Sequence, residues 1–381
     1  MKVTLHIGQS KTGTSAIQTF LTLNREALLR QRVIYPSVSV WGMPIDMGSH
    51  NAVADAIAGK DTYPYVSAQK YKDTFFGDAQ RLGVNHMILS GEHFFGGEPR
   101  VWNVSNEDEY FTAYREKVKR VSDWLAGHET TVLIYLRPHL DWFSSAISQT
   151  IRIAGLAPNL NANLDDLGFF NLLKPLLRYD DLLRTWRDIL NPAELRIIPY
   201  RRDNLIGGSS ISDFLHQTGI DEKSLSHGTT KLEVNTSLSR DYLEVKRILN
   251  ARQLSRIEVR TAAKCLEVLS RDSDQSSNYI PDERSCDAVK ELAEKDNAAL
   301  EASFGIRVEP RHHALVRPDP IPPEQVESAL LRFEREIRTP KYRTLHLSLL
   351  VRSILREQAR PAHTLIHQIR RVSMARKHRR N

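Results

Sequence analysis

The segment Thr131–Leu136, Thr-Val-Leu-Ile-Tyr-Leu, constrains the fold more than any other. It is a short apolar run, rich in β-branched and aromatic residues and closed by Arg137-Pro138, and it reads as a strand buried on both faces. Such a strand needs a covering layer on each side. Val3–Ile7, His86–Ser90 and Leu195–Tyr200 have the same character, with Pro199 marking the end of the last or an edge. Helical periodicity fills the intervals at about 14–30, 107–127, 140–155, 170–190 and 209–218. Strands alternating with helices imply crossover connections and a parallel sheet. The expected fold is α/β and three-layered, with a central parallel sheet of about 4–5 strands.

Past residue 220 no strand is legible. Residues 235–270 and 284–303 read as helical, and 308–323 holds five prolines and reads as a linker. Two basic helical stretches follow, 323–338 and 342–373, the second interrupted at Pro361. The expected organisation is an α/β domain over 1–307 (sheet core 1–220, helical region 221–307), a linker over 308–323 and a basic helical C-terminal extension over 324–381.

Hydrophobic residues at 41% and charged residues at 26% exclude a disordered chain, a collagen and a coiled-coil rod. Cys265 and Cys286 are too few for a disulfide framework. No apolar run approaches the roughly 18–20 residues that span a bilayer, and the N-terminal apolar stretch is too short for a signal peptide. The expected address is cytoplasmic. The net charge of +7 is uneven. From Pro340 onward eleven Lys or Arg face the single acid Glu357, so the first 339 residues carry a net negative charge. Two readings of the tail lead: a solvated terminus, or a peripheral contact with anionic lipid at the inner face of the membrane or with an anionic glycan. Nucleic acid is disfavoured, because no recognised binding motif accompanies the charge.

Between the first strand and the first helix lies Gly8-Gln9-Ser10-Lys11-Thr12-Gly13-Thr14-Ser15. A small-residue loop at a helix N-terminus presents backbone N–H groups to an anion. Lys11 adds a cation, and hydroxyls add donors. A nucleotide-triphosphatase loop would have lysine directly after the second glycine, but Thr14 stands there and the lysine precedes Gly13. No aspartate closes a later strand as a magnesium site would require.

Lys11-Thr12-Gly13-Thr14-Ser15 after a first strand resembles the phosphosulfate-binding loop of the sulfotransferase family, in particular its bacterial carbohydrate-type members. The resemblance implies a P-loop-like fold and 3′-phosphoadenosine 5′-phosphosulfate as co-substrate, with no metal. It assigns Ser10, Lys11, Thr12, Gly13, Thr14 and Ser15 to the donor site. It also implies an arginine at the end of a buried strand and a serine eight residues on, together gripping the 3′-phosphate. Arg137 and Ser145 match. An arginine at the carboxyl end of a parallel strand points into the ligand crevice and offers a fork to phosphate. The acidic-basic pair usual after the proline is missing, with Asp141-Trp142 in that region. The resemblance covers residues 1 to about 220, and 308–381 match nothing in the family.

The implied reaction moves a sulfuryl group to an acceptor hydroxyl on a carbohydrate, a glycolipid or another small molecule. Lys11 would stabilise the leaving phosphate. A base is expected in Ser90-Gly91-Glu92-His93-Phe94, at the end of a second strong strand. Glu92 is the first choice; His93 and His50 are the others. Two alternatives stand beside this reading: a kinase or nucleotide-triphosphatase with a degenerate phosphate loop, and an inactive nucleotide-binding module. The adjacent pair His312-His313 does not share a helix face, which disfavours zinc, and no Gly-x-Ser-x-Gly elbow occurs.

Overall fold

The computed structural model describes residues 1–38, 48–60, 66–97, 99–154, 164–201, 203–225, 238–252, 254–273, 279–309 and 321–351. Five strands, β1 (Lys2–His6), β2 (Val33–Ile34), β3 (His86–Ser90), β4 (Glu129–Leu136) and β5 (Glu194–Pro199), form one sheet in the order β2-β3-β1-β4-β5. Every neighbouring pair is parallel. The fold is therefore α/β with an open parallel sheet. The helices are α1 (Thr14–Leu23), α2 (Arg25–Arg30), α3 (Asn51–Ile57), α4 (Ala68–Arg81), α5 (Glu92–Gly96), α6 (Glu107–Leu125), α7 (His139–Ile153), α8 (Asp166–Leu177), α9 (Tyr179–Thr185), α10 (Ser210–Thr218), α11 (Arg240–Asn250), α12 (Arg256–Leu269), α13 (Glu283–Phe304) and α14 (Pro323–Glu336). A further helical stretch is described over 340–351.

Alternation along β4 explains the layers. Leu133 and Tyr135 belong to a core cluster with Ile17, Phe20 and Leu21 of α1 and Phe214 and Leu215 of α10. Val132, Ile134 and Leu136 point to the opposite face, and they too are fully buried. Both faces of the sheet are thus covered, as an unbroken apolar strand requires. Each fully buried side chain of this kind contributes roughly 1.5–3 kcal/mol.

Several helices differ from their sequence expectation, each for a local reason. The stretch 14–30 is two helices, because the backbone N–H and side-chain amide of Asn24 both donate to the Phe20 carbonyl and close α1. The stretch 170–190 divides at Arg178 into α8 and α9, and a π-helical turn over Trp186–Leu190 follows. The stretch 235–270 breaks before Ser255, which caps α12 in a reciprocal pair with Glu258. β2 and α4 have no counterpart among the elements expected from the sequence.

The chain divides into two compact units. The first comprises Met1–Ile147, Leu164–Thr236 and Tyr279–Pro318; the second comprises Ser148–Asn163, Ser237–Asn278 and Asp319–Asn381. Of the expected helical region 221–307, α13 thus belongs with the sheet, whereas α11 and α12 belong to the other unit. The second unit is helical in its described residues, with Leu243, Leu249, Val259, Leu266, Phe333 and Tyr342 buried. Within it, Lys246 donates to the Ala154 carbonyl and Asn250 to that of Ile151, closing the end of α7. Most of the proline-rich stretch and all of 352–381 lie outside the described residues. No helix among the described residues is long and apolar enough to cross a membrane.

Candidate functional site

In a parallel sheet the carboxyl ends of all strands open on one edge. Here β1 lies between β3 and β4, where the chain reverses its direction of travel across the sheet, which is the switch point at which such sheets form a crevice. The loop 8–15 leaves β1 at this point, Glu92 follows β3, and Arg137 follows β4.

The loop is built inward from Gln9, which is 1% exposed. Its backbone carbonyl accepts the hydroxyls of Thr12 at 2.7 Å and Thr14 at 3.3 Å. Both threonines are buried, so their hydroxyls hold the loop, while Ser10, Lys11 and Ser15 keep partial exposure. Lys11 sits at φ 70 and Gly13 at φ 80. For lysine this left-handed conformation costs roughly 1–2 kcal/mol, so the one cation of the loop is held in a strained conformation. Gly13 cannot be replaced in kind. A Cβ there would lie 2.6 Å from the Ser210 hydroxyl and 3.1 Å from that of Tyr200. Gly13 precedes α1 without any side-chain cap on that helix. An uncapped N-terminus beside a cation is suited to an anion.

Arg137 joins this loop directly. Its backbone N–H donates to Gln9 Oε1 at 2.7 Å, and its guanidinium Nη1 donates to the Lys11 carbonyl at 3.4 Å. Ser145 lies half-buried on α7, on the same helix face as Asp141 one turn earlier.

Glu92 opens α5, and burial raises its carboxyl above the usual range against the pull of the His93 and Lys11 charges. The carboxylate and the loop cation therefore sense one another across the crevice. His93 receives different support. Its backbone N–H donates to Asn51 Oδ1 at 3.0 Å, and its Nδ1 lies 2.9 Å from Asp55 Oδ1. Burial opposes ionisation of Asp55, but the His93 hydrogen bond and the neighbouring positive charges hold its carboxyl below the usual range. With Nδ1 carrying the proton toward Asp55, Nε2 is the acceptor nitrogen.

His50 is placed differently. The Ser90 N–H donates to its Nδ1 at 3.1 Å, and its Nε2 donates to the Pro36 carbonyl at 3.1 Å. The ring is 1% exposed, edge-on to Tyr35 and Phe75. Burial lowers its pKa to about 4. Both nitrogens are thus committed to backbone, and His50 clips the start of α3 to the end of β3.

Sequence reasoning passed over Gln9, Asp55 and Tyr179. Gln9 stood inside the loop as an ordinary residue. Asp55 and Tyr179 sit in helices with no motif, and only the fold brings them to His93 and Arg137. A separate cavity of about 410 Å³, lined by Lys60, Asn103, Lys117 and Arg120, includes none of the loop residues. Among the described residues no group of three or more His, Cys, Asp or Glu could hold a metal ion. The arrangement can receive an anion between two cations and present a carboxylate or an aspartate-held imidazole to a second reactant. No family model, no curated protein and no solved structure matches the chain.

Proposed function

We propose that this protein is a sulfotransferase of P-loop-like fold, taking 3′-phosphoadenosine 5′-phosphosulfate as donor and a hydroxyl of a carbohydrate, glycolipid or other small molecule as acceptor. The observation that carries the reading is the direct contact of Arg137 with the Lys11 loop, which joins two anion-binding elements from neighbouring strands into one cradle. The residues fit such a donor: the uncapped start of α1, Lys11 and Ser15 suit the 5′ end, and the Arg137 fork, with Ser145 on the next helix, suits the 3′-phosphate.

The donor supplies an activated sulfuryl group whose sulfur–oxygen bond to the phosphate breaks as a new one forms to the acceptor oxygen. Lys11 offsets the charge that develops on the leaving phosphate oxygen. Glu92 takes the acceptor proton, and burial, which raises its carboxyl above the usual range, makes it a stronger base than an exposed carboxylate. Glu92→Gln is expected to lower kcat by about a hundredfold or more, with donor affinity preserved. The Asp55–His93 pair supports a second assignment of the base. A larger kcat loss in His93→Gln than in Glu92→Gln would move the role to the imidazole.

The competing reading as a magnesium-dependent kinase or nucleotide-triphosphatase shares the loop-to-helix geometry but not the lysine after Gly13. Metal-free binding of adenosine 3′,5′-bisphosphate, lost on removal of the Arg137 side chain, separates the two. Binding without turnover would favour the inactive module. The proposed peripheral membrane role of the basic tail rests mainly on 352–381, which lie outside the described residues.

A further inference from the structure

Arg137 is held by more than the loop. Its N–H donates to Gln9 Oε1, and its carbonyl accepts the Tyr179 hydroxyl at 3.1 Å. Side chains from the loop after β1 and from α9 therefore take both backbone polar groups of the residue that follows β4. Gln9 and Tyr179 are essentially inaccessible to solvent, and the Gln9 side chain neighbours the Tyr179 phenol. Burial raises the phenol's pKa well beyond its usual value, so the hydroxyl keeps its proton and acts as a donor.

Tyr179 is fixed in turn from α13, more than a hundred residues downstream. Asp296 Oδ2 accepts the Tyr179 N–H at 3.2 Å, and Oδ1 accepts the Asp180 N–H at 3.1 Å, so one carboxylate covers the first turn of α9. The same Oδ2 pairs with His139 Nε2 at 2.8 Å. The His139 ring stacks on Tyr179 with centroids 4.2 Å apart. His139 itself begins the helix that follows Arg137, and the histidine, tyrosine and aspartate are all buried. A closed circuit thus runs from Arg137 through Tyr179 and Asp296 to His139 and back along the chain.

We propose that Tyr179, held by Asp296 of α13, is a positioning residue that aims Arg137 at the 3′-phosphate of the donor, making α13 part of the donor site's support. This rests on the sulfotransferase reading. A residue that acts only through Arg137 should affect the 3′-phosphate and spare the rest of the nucleotide. Tyr179→Phe, which removes only the hydroxyl, is expected to weaken adenosine 3′,5′-bisphosphate binding by about tenfold in calorimetry while leaving adenosine 5′-phosphate affinity unchanged. Asp296→Asn should show the same selectivity at greater cost to stability; if it fails to fold, Tyr179→Phe still carries the test. An equal loss for both nucleotides, or no loss for either, would overturn the proposal. Should the wild type bind neither nucleotide, the functional reading fails by itself, and the clamp is read without ligand. Amide hydrogen exchange at Arg137 should then speed up about tenfold in Tyr179→Phe while Leu133 in mid-strand stays unchanged. Unaltered exchange at Arg137 would overturn the clamp.

Discussion

On the proposed sulfotransferase reading, Lys11→Gly is expected to make the protein more stable and to lower the rate of sulfuryl transfer by two to three orders of magnitude. The two effects come from one observation. Lys11 adopts φ 70, a conformation that glycine takes without the Cβ penalty. Relief of that strain should raise stability by roughly 1 kcal/mol. The lost ammonium is the group assigned to the developing charge on the leaving phosphate, and removing one such electrostatic contact typically costs about a hundred- to a thousandfold in kcat. Opposite signs for stability and activity mark a residue whose strain is retained for function. A thermal melt and a transfer assay on the same preparation check both. An unchanged rate would take Lys11 out of the chemistry, and a lowered melting temperature would show that the contacts of Lys11 and the chain entropy of glycine outweigh the strain.

The second large effect is loss of stability in mild acid. His6, His50 and His86 are buried against the strands. His6 Nδ1 lies 2.8 Å from the Ser90 hydroxyl, and His86 Nε2 lies 2.8 Å from that of Thr4. Burial lowers the pKa of His6 to about 3, and burial, first among several causes, lowers those of His50 and His86 to about 4. In the unfolded chain each titrates at its ordinary value near 6.5. Above that value the three are neutral in both states and exert no pull. As pH falls below it, the unfolded chain takes up protons that the folded protein refuses, so stability drops until the folded values are reached, about 4 for His50 and His86 and about 3 for His6. By pH 5 each group should have removed about 2 kcal/mol. Together that is a large part of an ordinary domain's stability. Urea unfolding of the sheet unit at pH 7.5 and pH 5 should show a strongly reduced midpoint at the lower pH. Equal midpoints would mean that these rings accept protons in the folded state.

Much of the sheet was legible because buried parallel strands write themselves as short apolar runs. Thr131–Leu136 and His86–Ser90 fall inside or on β4 and β3. The loop was legible because a tight turn between strand and helix needs small residues at fixed places, and Gly13 shows why: neither its φ nor the space around it admits a side chain. Val33–Ile34 is only two residues long, too short for any period to register, yet it adds an edge strand against β3. The site's supports were illegible for a different reason. Gln9 meets Arg137 across 128 positions and His139 meets Asp296 across 157. Such partners carry no local signature, since each is an ordinary residue until the fold brings the other to it. His50 shows the converse. It is a candidate base on the family resemblance, but its two nitrogens serve backbone groups of Ser90 and Pro36.

In the proposed function the loop after β1 and Arg137 after β4 form one donor site. Calorimetric titration of adenosine 3′,5′-bisphosphate in chelator-treated, metal-free buffer, into wild type and into Arg137→Ala, tests it most directly. Tight binding to the wild type and a loss of at least a hundredfold in the variant are expected, with the fold of the variant retained by circular dichroism. No binding to the wild type, or binding of ATP that appears only with magnesium, would contradict that assignment and return the loop to the nucleotide-triphosphatase class.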